Sequence, residues 1–152
     1  MSEDLKLIAH LLRRAGFGAN RNELNRYASK GYDAMVEELL DIDNPRSMPE
    51  DLIRRYHSDL SSIFASDAAQ STWLYRLVTT NDPLKEKIAL FWHNIFATGY
   101  AKVPIGKVMN DQIRMFRRFG MGNFKTLLLN LSKDPAMIIW LDNIDNHSGA
   151  IN

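Results

Sequence analysis

The sequence predicts an all-α fold. Three observations support this: apolar residues recur at spacings of three and four, capping and stop signals delimit short segments, and no segment keeps a strand-like alternation. The 152 residues are 45% hydrophobic and 24% charged, as in ordinary globular proteins. They predict a single helical domain over residues 1–152, an orthogonal bundle of about nine short helices.

The first three helices are defined by their end signals. Ser2 is the expected cap of the first helix, and Gly16 ends it. Asn20 and Glu23 have capping-box spacing and open the second helix, which ends near Gly31. A third helix follows, with apolar positions from Tyr32 to Leu40.

A loop and two further helices follow. Residues 41–49 combine prolines with Asp and Asn, which is typical of a loop. Apolar spacing predicts a fourth helix over residues 52–64, and Asp67 is the expected cap of the fifth. Asp82 and Pro83 give a cap and a first-turn proline for the sixth.

The sixth helix, near residues 83–97, differs from the others because apolar side chains surround almost its whole circumference. A helix that is apolar on every side is usually buried. We therefore expect this helix at the centre of the fold.

Three helices and a tail complete the chain. A basic helix covers about residues 105–119 and stops at Gly120, Asn123 caps the next, and Asp134 with Pro135 begins the last. The polar tail, residues 142–152, has the composition of turns. The tail is either an interruption of a longer chain or a frayed terminus.

Charge and composition exclude several classes. Nineteen basic and eighteen acidic residues give a net charge of +1, which disfavours a general nucleic-acid or membrane-surface binder. Absence of cysteine excludes disulfides and thiolate sites. No apolar run approaches the roughly 20 residues of a membrane span. The acidic start predicts a cytoplasmic protein, with export of a longer form left as an alternative.

Four ordered strings carry a family resemblance: HLLRRAGFG at residues 10–18, KEKIALFWHNIFATG at 85–99, GNF at 122–124 and DPAM at 134–137. They closely resemble the N-terminal part of the bacterial family catalogued as domain of unknown function number eighteen hundred. The family often has a second histidine where this chain has Ile95, so a His-x-His pair is not expected. Its members run several hundred residues longer. The resemblance thus implies the N-terminal part of a longer protein, with the remaining polypeptide as partner, and no established activity.

His93 is the most informative candidate because the central helix would shield its imidazole from water. A general base or metal ligand is one interpretation, with Glu86 or Asp142 orienting the ring. Glu86 lies two turns away, roughly 10 Å along the axis, so the orienting group would come from another helix. His10, between cationic neighbours, and Asp142 are the other catalytic candidates. The alternative is a structural histidine with satisfied hydrogen bonds.

Two further groups are candidate ligand sites. The oxygen-rich tail lacks the spacing of a calcium loop, and a turn stabilised by Asx hydrogen bonds is the alternative to a divalent-metal site. Arg114, Arg117 and Arg118 share one helical face that could clamp phosphates or carboxylates. Ion pairs with the acidic third helix are the alternative use.

The sequence leaves the function open between two classes. One is the N-terminal helical part of an enzyme whose site is completed by residues beyond the chain end. The other is a non-catalytic scaffold or protein-interaction module. Phosphate or nucleic-acid binding through the basic helix is a distant third, and no metal or cofactor can be identified.

Overall fold

The computed structural model describes residues 3–41 and 66–149, and within these ranges it contains eight α-helices and no β-strand. The predicted all-α class is therefore confirmed. The helices are α1 (Glu3–Ala15), α2 (Arg21–Lys30), α3 (Tyr32–Leu40), α4 (Ser66–Thr79), α5 (Pro83–Ile95), α6 (Gly106–Phe119), α7 (Phe124–Leu131) and α8 (Pro135–Trp140), followed by a 3₁₀ turn, Asn143–Asp145.

Eight of the nine predicted helices correspond to these elements. The predicted helix over residues 52–64, most of the 41–49 loop and the cap at Ser2 lie outside the described residues. Over the described ranges, the helices are all too short or too polar to span a lipid bilayer.

Three of the predicted caps, at Asn20, Asn123 and Asp134, form hydrogen bonds. Asn20 accepts from the Glu23 amide at 3.0 Å, and the Glu23 carboxylate accepts from the Asn20 amide at 2.8 Å. Asn123 caps α7, and Asp134 caps α8 with Pro135 in its first turn. The prediction that Asp67 is a helix cap is wrong, because Asp67 lies inside the first turn of α4 rather than before it. There its carboxylate favours the helix through the positive end of the helix dipole.

The contacts divide the chain into two compact units. The first comprises residues 1–48 and 76–87, and helices α1, α2 and α3 pack against one another within it. Its buried centre is Ile8, Leu12 and Met35. Gly16 is required at its position because a Cβ there would lie 2.9 Å from Cβ of Pro83.

The second unit comprises residues 49–75 and 88–152, and α6 packs there against α7 and α8. Its buried core consists of Ala89, Ile113, Phe116, Leu127 and Leu131. Aromatic side chains extend this core, and Phe96 stacks between Trp92 (5.6 Å) and Phe116 (6.4 Å). Helices α4 and α5 each contribute residues to both units.

Helix α5 corrects the prediction of burial on every side. Its Ala89 is fully buried, and Trp92 packs against the core of the second unit. Phe91 and Ile95, however, are 49% and 50% exposed, and the helix ends at Ile95 rather than near residue 97. An apolar side chain does not have to be buried, so the helix periodicity could not separate a core face from an apolar surface.

Candidate functional site

The second unit contains a cavity of about 200 Å³ among α4, α5, α6 and the segment that follows α5. Helix α4 contributes Trp73, and α5 contributes His93. Thr98 and Tyr100 lie in the connecting segment, and Met109 lies on α6. A mostly apolar wall with a few polar groups is typical of a small-molecule site.

Local structure explains how these residues reach the cavity. His93 follows Ala89 by four residues, so the two share the buried side of α5. In the connecting segment the amides of Lys102 and Val103 both donate to the Gly99 carbonyl, which forms a tight turn. Gly99 itself meets the Trp140 ring, since a Cβ there would lie 3.3 Å from it.

His93 lies half-buried against Trp73, with ring centroids 5.2 Å apart in an edge-to-face arrangement. Burial lowers the pKa of His93 because the protonated imidazole loses hydration, and a hydrogen bond that the protonated ring donates to the Gln112 side chain opposes this shift. Among the described residues, Nδ1 of His93 has no hydrogen-bond partner. The structure therefore favours the neutral imidazole.

A chain of buried hydrogen bonds lies beside His93. The Thr98 hydroxyl donates to Oε1 of Gln112 at 2.6 Å, and Nε2 of Gln112 donates to Oδ2 of Asp134 at 2.8 Å. All three side chains are buried, and Gln112 is completely shielded. Because both ends of its amide are engaged, the orientation of Gln112 is fixed.

Asp134 connects this network to α8. Its Oδ2 atom also accepts the Met137 amide at 2.9 Å, so one carboxylate caps the helix and holds Gln112. Burial raises the pKa of Asp134, while the hydrogen bonds from Met137, Gln112 and Ala136 act in the opposite direction.

Sequence reasoning identified Asp134 only as a cap and missed Thr98 and Gln112. For Gln112 a signal exists: it lies on the same helical stripe as Met109, Ile113 and Phe116. A polar residue in an apolar stripe indicates a buried, hydrogen-bonded group. No comparable signal marks Thr98, which lies in a segment without periodicity.

Of the three predicted catalytic residues, only His93 lines the cavity. His10 is exposed and belongs to the first unit. Asp142 adopts a left-handed backbone conformation (φ 60°). Its Oδ2 atom forms an ion pair with Nζ of Lys102 at 2.6 Å. The two side chains of this pair are 50% and 41% exposed, so the pair lies at the surface.

The predicted arginine cluster is on α6 as expected, and part of its charge is balanced locally. Arg114 pairs with Asp111 at 2.7 Å, and Lys107 pairs with the same carboxylate at 2.6 Å. Arg118 lies over the Phe119 ring at 5.2 Å. Arg117, the third arginine of the cluster, also interacts with a neighbouring group. Anion binding by the three arginines stays a prediction.

Within the described ranges, no group of three or more His, Asp or Glu side chains could hold a metal ion. In the tail, Nδ2 of Asn146 donates to Oδ1 of Asn143 at 3.0 Å, and His147 contacts the Asp145 carbonyl. These short-range bonds agree with the turn interpretation of the tail.

Fold and site together define an all-α protein with a cavity beside a buried histidine and a polar network. A family model described as "Protein of unknown function (DUF1800)" matches residues 10–152. Since this match spans most of the chain, the protein belongs to that family. No curated protein and no solved structure gives a significant match.

Proposed function

We propose that this chain is the helical part of an enzyme in which His93 is a general base acting on a small molecule held in the cavity. One observation carries the proposal: an imidazole kept neutral by burial lies in the wall of a cavity large enough for a ligand. A base that is unprotonated at neutral pH can accept a proton without first losing one.

The Thr98–Gln112–Asp134 network supports this role. A general base must keep its orientation while the reaction proceeds, and Gln112 is the polar group that pairs with His93. Thr98 and Asp134 hold both ends of the Gln112 amide. Gln112 is therefore a positioning residue, and Asp134 acts through it.

Other parts of the sequence-based hypothesis stay proposals. Completion of the site by residues of a longer polypeptide, and contributions from His10 and Asp142, would add groups that the cavity wall does not supply. Such additions are compatible with the role of His93, which depends only on the second unit.

A non-catalytic interaction module is the second candidate. Exposed aromatic and aliphatic side chains surround Trp92 in the second unit: Phe91 packs edge-on against its ring at 5.0 Å, and Phe124 stacks on it at 5.7 Å. Phe124 is 54% exposed and Ile95 is 50% exposed. Apolar side chains grouped at the surface favour contact with another protein.

Hydrolysis of p-nitrophenyl acetate tests the catalytic proposal, because the ester is neutral and its cleavage needs only a base and water. We expect His93→Ala to lower kcat/KM about 100-fold, the lower end of what a general base contributes. The rate should fall only below the usual histidine pKa, because burial lowers the pKa of His93 and the neutral form is the active one.

The control is His10→Ala, which removes an exposed imidazole from the other unit and should leave kcat/KM unchanged. If ester hydrolysis does not saturate with substrate, or if both variants reduce it equally, the activity comes from surface histidines. That result would reject the catalytic proposal in favour of the interaction module.

A further inference from the structure

Two ring nitrogens at the cavity lack hydrogen-bond partners. Nε1 of Trp73 and Nδ1 of His93 are both shielded from solvent, and within the described ranges neither has a partner. Both residues line the cavity, and their rings touch edge to face. Buried polar atoms are nearly always paired, so a pair of unpaired atoms at one cavity indicates a missing polar group.

The two atoms differ in hydrogen-bonding character. The indole nitrogen of Trp73 can only donate. In a neutral imidazole one nitrogen donates and the other accepts. In the neutral tautomer that has its proton on Nε2, the unpartnered Nδ1 of His93 is an acceptor. One donor and one acceptor are complementary to a hydroxyl group, which both accepts and donates.

The wall also limits the charge of the ligand. Among the described residues that line the cavity there is no Lys, Arg, Asp or Glu. A carboxylate or an ammonium group would be removed from water without an opposite charge, which is strongly unfavourable. The lining therefore favours an uncharged ligand.

Its size follows from the volume. A dry apolar cavity of about 150 Å³ accepts one benzene molecule, and the present cavity is about 200 Å³. Trp73, Tyr100 and Met109 provide aromatic and thioether surfaces for a flat ring. One six-membered ring with a small substituent fills this space.

We propose that the cavity binds an uncharged, single-ring compound carrying a hydroxyl group, with the hydroxyl between Nε1 of Trp73 and Nδ1 of His93. This inference rests on the proposed function, because the hydroxyl that donates to Nδ1 is the group from which His93 would remove a proton. Because both nitrogens are shielded from solvent, this binding mode requires each ring to turn toward the cavity.

Binding of phenol and toluene to the full chain tests the inference. The two probes have the same ring, and only phenol carries a hydroxyl. Titration at pH 7.5 is followed by the NMR shifts of the Trp73 indole N–H and the His93 ring. We expect phenol to bind about tenfold more tightly than toluene, as one well-placed hydrogen bond allows.

The variant Trp73→Phe keeps an aromatic ring and removes the N–H group. It should weaken phenol binding and leave toluene binding unchanged or stronger. The ratio of the toluene Kd to the phenol Kd should therefore fall toward one. Because the preference is a ratio within one protein, a change in cavity volume or stability does not imitate this result.

Equal binding of phenol and toluene, tighter binding of benzoate or glucose, or no binding of phenol would each overturn the inference. A preference for phenol that survives in Trp73→Phe would also overturn it. These results leave the proposed function standing if His93→Ala still lowers kcat/KM for ester hydrolysis about 100-fold. If ester hydrolysis does not depend on His93 but phenol still binds more tightly than toluene, the catalytic role is rejected and the binding site is retained.

Discussion

At the scale of residues, the second unit contains more buried polarity than its apolar pattern predicts. Thr98, Gln112 and Asp134 are all buried and joined by hydrogen bonds of 2.6 and 2.8 Å. Such a network stabilises a structure only when each member keeps its partners. Gln112 is its central member, since it is the only one bonded to both others.

Replacing Gln112 by Leu should therefore destabilise the protein by about 2 to 4 kcal/mol, because Thr98 loses its acceptor and Asp134 loses a donor. Urea unfolding measures the change. Gln70→Leu is the matched control on α4, where the side chain is exposed, and it should change the unfolding free energy by less than about 0.5 kcal/mol. Equal effects of the two variants would show that the network contributes nothing.

At the scale of elements, the junction between α6 and α7 depends on a close approach. Trp92 of α5 donates from Nε1 to the Gly120 carbonyl at 2.8 Å. Gly120 has ordinary helical angles (φ −66°, ψ −25°), so the backbone conformation does not require glycine. A Cβ at this position would clash with the backbone carbonyl of Phe116 and would lie 2.7 Å from Cδ1 of Trp92, and these two contacts exclude a side chain.

We expect Gly120→Ala to destabilise the protein by about 1 to 3 kcal/mol, because the end of α6 must shift away from the Phe116 carbonyl and the Trp92 ring must move within its stack with Phe96. Gly122→Ala is the matched control two residues later. Its Cβ would meet only the Phe119 carbonyl, at 3.4 Å, so it should be neutral or stabilising by up to about 1 kcal/mol. Thermal unfolding of both variants decides the matter, and a tolerated Gly120→Ala would contradict the steric account.

At the scale of the whole molecule, short-range signals predicted the fold and long-range contacts produced the site. The capping box at Asn20 and Glu23 and the cap at Asp134 formed as expected because each depends on residues three apart. The exposure of Phe91 depends on what packs against α5, which periodicity does not contain. In the same way, His93 was identifiable on α5, whereas Gln112 and Thr98 reach each other across 14 residues of chain.

The candidates that the sequence grouped together belong to different units. His10 belongs to the first unit, and His93 and Asp142 belong to the second. The proposed site therefore depends on the second unit alone, with His93 as its only predicted member in the cavity wall.

The most direct test of this account is an NMR titration of the His93 imidazole in the full chain, assigned by comparison with His93→Ala. Burial of the ring beside Trp73 predicts a pKa below the usual histidine value of about 6.5, so the ring should be neutral at pH 7. A His93 pKa at or above that value would mean that the imidazole is solvated, and would contradict both the neutral base and the site built around it.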